Sequence, residues 1–391
     1  MAPGVNRIVA LIALAATTAV SQSFGRFTYS VLYTDIRDDF GLSNTAAGGI
    51  GSLNLVGYLL GSLIVAFGVG RLGLIRTAKY GLAGVTVGLA LLTWAPTAAV
   101  VVFALFITGL TASGVWVAAP ALAANVLGSD RQGLAVGWIS AGVGAGFVLS
   151  CIFDVVMSEW RSVYGTETLL GIACLVLFSL IFKDSSPSSS AKSPSPKTLQ
   201  QVPGWLNLCA TYGFFAIGGS LAMTFTVALL EEDAGYEAHS ASLIYSLIGV
   251  GMLIGGFSMG WLIDQVGRNS TQLLSLAVMA TSCVMIATGH KFGATVATML
   301  FGVAFTGAVT SITAKVSHHL DAEAFGAAYA VVTIVFGAGL AIGPQLGGVL
   351  ADSSGSFRPA LLLAASCAML GLALTVADRR REKREVLSRH P

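Results

Sequence analysis

Apolar residues fill the chain in long, nearly unbroken runs, and polar residues gather in the short gaps between them. A hydrocarbon core about 30 Å thick takes about 20 such residues in a helix. The runs predict spans over 8–33, 45–69, 76–94, 98–126, 133–157 and 165–182, then over 204–230, 241–263, 271–289, 294–316, 324–351 and 360–376. Between the sixth and seventh lies 183–203, rich in Ser and Pro, which predicts a linker with no fold of its own. The fold class is an all-α integral membrane protein with twelve transmembrane helices. It divides into an N-terminal half, 1–182, a cytoplasmic linker, 183–203, and a C-terminal half with a basic tail, 204–391.

Composition agrees. Apolar residues make up 55% of the chain and charged ones 10%, against about 45–50% and about 25% in soluble domains. A soluble surface of this size needs more charge than the chain carries. Cys151, Cys174, Cys209, Cys283 and Cys367 stand singly inside apolar runs. Without CxxC or ligand spacing they read as reduced packing residues, and no metal or cofactor is expected. Arg7 and the first run resemble a secretory signal, but the run is too long for the apolar part of one.

Counting Lys and Arg by connection orients the spans. With the N-terminus inside, sixteen fall on the inner side and four, Arg37, Arg161, Lys291 and Arg358, on the outer. The last of the 21 is Arg26, within the first span. The positive-inside rule then makes both termini cytoplasmic, in the cell (inner) membrane. Acids lean the other way, with Glu231, Glu232, Asp233 and Glu237 in one outer loop.

The chain also repeats itself. A shift of 194 residues lays Gly57, Gly61 and Gly73 on Gly251, Gly255 and Gly267; a shift of 193 lays Gly133, Gly144 and Gly146 on Gly326, Gly337 and Gly339. Near-equal offsets at two places predict duplicated six-helix halves. Glycines four apart let helices approach closely where lipid supplies no hydrophobic drive.

Segment 260–269, GWLIDQVGRN, resembles the cytoplasmic loop motif of the major facilitator superfamily, in which a small residue, an Asp and a Gly-Arg pair follow the second or eighth helix. Gly343-Pro344, within GAGLAIGPQLGG, resembles that superfamily's fifth- or eleventh-helix signature. Phe24-Gly25-Arg26-Phe27, followed by NLVGYLLG over 54–61, looks like a bacterial branch whose substrates are poorly known. The resemblance implies alternating access between two pseudo-symmetric halves, with helices one, four, seven and ten around a central cavity. It also implies gating loops, here Arg71, Gly73, Asp264, Gly267 and Arg268. The first-half loop, AFGVGRLGLI over 66–75, departs from the motif, with Gly70 where an Asp is usual. Any gating contact of that Asp is then absent, or falls to Asp264 alone.

Arg26 says most about cargo. A charge in mid-span costs about 2.5–3.5 kcal/mol on insertion scales. It stands roughly 28 Å beyond Arg7 at about 1.5 Å per residue, too far to reach the inner surface. Regular helical spacing puts Thr18, Gln22, Tyr29 and Tyr33 on its face, and such a stripe needs protein or water opposite it. Its planar fork of five donors suits carboxylate or phosphate. Two readings stand. Arg26 binds an anionic group of a solute with Gln22, Tyr29 and Tyr33 alongside, or it is a structural residue, paired with Asp154 or snorkelling outward.

Asp154, the acid placed within a span, reads as a proton carrier or as an interfacial partner of Arg26. Asn54 and Tyr58 in the second span either touch substrate or pair across the halves. Tyr212, with Phe215, Gly219 and Met223, forms a face in the seventh, for cavity or packing. Thr306, Thr310, Thr313 and Ser317 in the tenth either line a cavity or bond back to helix carbonyls. Lys315, His318 and His319 read as interface anchors, the alternative being a proton relay. Two motifs mislead. GVGRLG over 68–73 is a literal GxGxxG, but an apolar span precedes it and Gly88-Leu89-Ala90 stands where a dinucleotide site needs an acid. The basic tail directly follows a span, which suits anionic lipid and argues against nucleic acid.

The function that follows is secondary transport. No Walker A sequence occurs, so the drive is an ion gradient, with protons as the candidate, or the solute's own gradient. Arg26 favours symport or exchange of a small organic anion; an apolar cavity favours proton-driven efflux of amphipathic compounds or drugs. From another class comes a non-transporting receptor or sensor on the same body. An enzyme needs paired acids or a nucleophile–base set within the spans, and no catalytic residue is found. The expected partners are the solute, the bilayer and protons, and the chain is expected to act as a monomer.

Overall fold

Lipid offers backbone groups no hydrogen-bond partner, so each apolar run must satisfy its own N–H and C=O groups in a helix. The computed structural model describes residues 6–128, 132–157, 159–183, 199–320 and 322–389, and these hold helices and no strand. Side chains at 66–70, 132–133, 136, 257, 317, 319, 322–327, 330 and 382–389 are not described either. Of the sequence readings, the linker over 184–198, Gly70, Gly133, Ser317, His319 and Gly326 therefore lie outside the described residues.

The long helices are α1 (Arg7–Val31), α2 (Asn44–Leu72), α3 (Leu74–Thr93), α4 (Ala98–Leu127), α5 (Gln132–Val156) and α6 (Trp160–Ile181). After them come α7 (Trp205–Asp233), α8 (Ala238–Val266), α9 (Arg268–Ala287), α10 (Lys291–His319), α11 (Ala322–Ser354) and α12 (Arg358–Arg389). A short helix, Tyr33–Asp39, joins α1 to α2. Among the described residues, 11 helices are long and apolar enough to cross a membrane; α3, with Arg76 and Lys79 in its first turns, is not one of them. Most ends fall within a few residues of the predicted spans. The exception is α12, which runs on through the basic tail.

Turn chemistry sets the joints. Asn6 caps α1, its side-chain oxygen accepting from the Ile8 N–H at 2.9 Å. Gly73, between α2 and α3, has φ 80 and ψ 156; Gly267, between α8 and α9, has φ 83 and ψ 153. Only glycine adopts that conformation without strain. The two glycines share nearly the same backbone angles, 194 residues apart.

The helix crossings repeat in the same way. Where α2 meets α4, Gly57 faces the Phe106 carbonyl and Gly109 faces that of Asn54; where α8 meets α10, Gly251 faces Met299 and Gly302 faces Ile248. A Cβ at any of the four would run into backbone, so glycine sets how closely each pair packs. Gly146 of α5 lies on Ala19 of α1, and Gly339 of α11 lies on Gly213 of α7. Each contact recurs 193 or 194 residues on.

Two further contacts join the first six helices to the last six: α2 packs on α11 and α5 on α8. Polar ties cluster at the end where α1 turns into α2. The Asn44 and Thr45 N–H groups donate to the Asp352 carboxylate at 2.9 and 2.7 Å. Arg37 pairs with Glu232, and Ser242 donates to Asp154. At the opposite end, Lys315 is not the interface anchor expected. It is 2% exposed and pairs with Asp378 at 2.7 Å, while Asn207 donates to the other carboxylate oxygen at 3.0 Å. With both charges out of water, removing either partner would strand the other, which is what commits each to the pair.

Candidate functional site

The middle of α1 is not regular. Residues Ala19–Phe27 form a π-helical stretch, whose i→i+5 bonding widens the helix and frees carbonyls from their usual partners. Neighbouring helices supply replacements and partners for its side chains. Asn54 of α2 donates to the Gly25 carbonyl at 3.1 Å, and also to the Leu105 carbonyl and Thr108 hydroxyl of α4. Gln22 donates to the Ala112 carbonyl of α4 at 3.1 Å, and Ser23 to the Val143 carbonyl of α5 at 2.6 Å. α1 is thus pinned on three sides at the one place where its own ladder is loosened.

Arg26 projects from this stretch. Its Nη1 donates to Gln22 Oε1 at 2.9 Å, and its guanidinium lies over the rings of Tyr58, at 4.1 Å, and Phe27, at 5.5 Å. Nε is buried without an acceptor. No carboxylate pairs with Arg26 among the described residues; Asp154 is held by Ser242. A stacked ring and one amide oxygen compensate only part of what a guanidinium loses on leaving water.

The charge faces a cavity with room for the centre of a water-sized sphere over about 140 Å³. Its walls are aromatic, with Phe27, Trp116, Tyr212, Phe305, Tyr329 and Phe336, and its polar points are few: Gln22, Arg26, Ser140, Thr306 and Thr333. These come from α1, α4, α5, α7, α10 and α11. The Tyr212 ring stacks on Phe336 with centroids 4.4 Å apart, so this wall is a packed aromatic surface. A smaller cavity, about 30 Å³, is also bounded by Arg26 and includes Tyr29, Asn54, Ser220 and Thr224.

Of the residues singled out from the sequence, Arg26, Gln22, Tyr58, Tyr212 and Thr306 line the larger cavity. Tyr29 and Asn54 line the smaller one, but the Tyr29 hydroxyl already donates to the Ala47 carbonyl at 2.7 Å. Tyr33 lines neither, and donates to the Asn44 carbonyl at 3.1 Å. Thr310 and Thr313 bond back to the Thr306 and Val309 carbonyls. Arg71 and Asp264 are exposed beside the Gly73 and Gly267 turns, and Arg268 opens α9.

Asp154 is not the only acid inside a helix. Glu167 of α6 is fully buried; it falls inside the predicted span 165–182, where an acid ahead of a long apolar run was the signal to follow. Asp378 was missed for another reason. It lies just past the predicted end of the last span, and only the continuation of α12 buries it.

The sequence profile of a family described as uncharacterised MFS-type transporter YbfB matches residues 18–376. The chain is 25% identical over 260 residues to the chromaffin granule amine transporter of Homo sapiens, covering 63% of this chain and 49% of that one. It is 25% identical over 223 residues to monocarboxylate transporter 12-B of Danio rerio, covering 53% and 46%. It spans about half the length of these curated relatives. Among solved structures, a bacterial homologue of the human lysosomal transporter Spinster, inward-facing and unoccupied, superposes with a TM-score of 0.79 at 14% identity. That match covers 96% of this chain and 97% of the other, and shows a shared fold.

Proposed function

The chain belongs to the family described as uncharacterised MFS-type transporter YbfB, and from that premise we propose that it is a secondary transporter carrying a small organic anion, an apolar or aromatic carboxylate, together with protons. The observation that carries this reading is Arg26, facing an aromatic cavity with a buried Nε that lacks an acceptor and no carboxylate paired to it among the described residues. An incoming carboxylate supplies the missing negative charge, and its planar geometry matches the guanidinium fork. The apolar body of the solute then rests on Trp116, Phe305 and Phe336. Gln22, Tyr58, Tyr212 and Thr306 complete the binding surface, while Tyr29, Tyr33, Asn54 and Thr310 shape it from behind.

In this reading all twelve long helices span the membrane, in two related six-helix halves over 1–182 and 204–391. Both termini and the 183–203 linker are on the cytoplasmic side of the cell membrane, and one chain is the transporting unit. The recurring glycine crossings support the division. The ties through Asp352, Glu232 and Asp154 then hold the outer end shut, and Arg71, Gly73, Asp264, Gly267 and Arg268 belong to the inner gating loops. Breaking one set of ties and forming another is what alternating access requires.

Thermal unfolding of the purified protein tests the cargo. Benzoate, 3-phenylpropionate and hexanoate are added to wild type and to Arg26→Gln, with benzamide and benzylamine as uncharged and cationic controls. The expected result is stabilisation by the carboxylates in wild type only, since a ligand that binds the folded state raises its melting temperature. Stabilisation by benzylamine and not by the acids would replace this reading with efflux of amphipathic cations. Counterflow of labelled benzoate in proteoliposomes separates transport from binding without flux.

A further inference from the structure

A second buried polar cluster lies behind α1, away from the cavity. Glu167 of α6 is 0% exposed, and its Oε1 accepts from Thr28 of α1 at 2.7 Å and from Ser150 of α5 at 3.0 Å. The two hydroxyls are 2.8 Å from each other. Oε2 is buried and has no partner. The sites above leave this carboxyl without a use.

Counting hydrogens shows what the cluster can do. Each hydroxyl has one hydrogen to give. Thr28 Oγ1 lies within reach of three acceptors, Glu167 Oε1, Ser150 Oγ and, at 3.4 Å, the Ser23 carbonyl. Ser150 Oγ likewise reaches Oε1 and, at 3.1 Å, the Gly146 carbonyl. When Glu167 is ionised, both hydroxyls turn to Oε1, the two carbonyls lose them, and Oε2 holds charge with no donor. When Glu167 is protonated, its own O–H donates to one hydroxyl and the hydroxyl hydrogens return to the carbonyls. No charge is then left without a donor.

The two patterns differ at meaningful places. Ser23 belongs to the π-helical stretch, three residues before Arg26. Gly146 is where α5 packs on that stretch, against Ala19 and Ser23. A proton on Glu167 therefore changes hydrogen bonding to the segment that presents Arg26, and to the helix that braces it. Few charges compete nearby. Cys151 of α5 and Tyr164 of α6, which itself faces Tyr29 of α1, are the ionisable neighbours. Among the described residues, α3 sets hydroxyls against α6, Thr86 against Gly171 and Thr93 against Thr168. The one basic residue of α6, Arg161, is committed to Asp39 at 2.9 Å.

We propose that Glu167 is a proton-binding site of the transport cycle, linked through Thr28 and Ser150 to the π-helical turn that carries Arg26. The proton is taken from water on one side of the membrane and returned on the other, with no other bond made or broken. This rests on the transporter reading, so its test is independent of any solute.

Infrared spectra of the full-length protein in liposomes, stepped through pH, report the C=O band of a protonated buried carboxyl. A band that disappears as pH rises, is lost in Glu167→Gln and is kept in Asp154→Asn is the expected result. A band unchanged by Glu167→Gln, a band lost in Asp154→Asn instead, or a Glu167 band that never responds to pH would each overturn the proposal. Should Glu167→Gln not fold, Thr28→Val serves: it must shift the same band, and an unshifted band overturns the proposal equally. Failure here leaves the carboxylate site at Arg26 standing, and failure of that site leaves this result readable.

Discussion

The guanidinium carbon of Arg26 sits 4.1 Å from the centroid of the Tyr58 ring, so the one mid-helix cation at the cavity is stacked on an aromatic face from the next long helix. A cation over a ring gains about 2 kcal/mol or more when both are desolvated. Tyr58→Phe keeps the face and is expected to unfold like wild type. Tyr58→Leu is expected to lose about 1–2 kcal/mol, and to lose much less in an Arg26→Gln background. A double-mutant cycle on thermal unfolding measures this coupling. Strictly additive losses would show that the ring only fills space.

Asn54 repairs the loosened ladder of α1 through the Gly25 carbonyl while also bonding α4. Asn54→Leu leaves buried acceptors bare at about 1–3 kcal/mol. Hydrogen exchange measured by mass spectrometry is expected to quicken over 19–27 more than elsewhere in α1. Uniform quickening along the chain would mean a general packing defect.

Gly109 and Gly302 occupy the same kind of crossing, each against a facing carbonyl. Gly109→Val and Gly302→Val are both expected to abolish the monodisperse peak in size-exclusion chromatography. Gly260→Ala, where an added Cβ meets nothing within 4 Å, is expected to run like wild type. A well-behaved Gly302→Val protein would refute the close-crossing account.

Lys315 and Asp378 tie α10 to α12 out of reach of solvent. Lys315→Met alone strands a buried carboxylate and is expected to cost about 3–5 kcal/mol. Lys315→Met with Asp378→Leu removes both charges and is expected to recover most of that loss. Melting curves of the two variants decide; a double variant no better than the single would place the loss in packing.

Much of the architecture was legible from local features. Span lengths follow from hydropathy because lipid leaves the backbone no other solution. The Gly73 and Gly267 turns were marked by repeated motifs that need a positive φ. Matched glycines in α2 and α8 anticipated crossings in which the matched carbonyls also correspond. These features belong to single helices or single turns, and so survive being read one segment at a time.

What the sequence by itself determined is therefore the set of helices, their repeat, and the presence of a cation within the first of them. The tertiary structure alone decided what that cation meets. Regular spacing would carry Arg26, Tyr29 and Tyr33 along one face; in the structure the helix breaks at Leu32, ahead of Tyr33, and Tyr29 and Tyr33 spend their hydroxyls on carbonyls near the start of α2. Glu167 finds Thr28 and Ser150, and Lys315 finds Asp378, only because α1, α5 and α6, or α10 and α12, pack at fixed depth and rotation. Hydropathy is a property of one helix at a time. Which polar groups are left to satisfy one another is a property of how the helices are stacked.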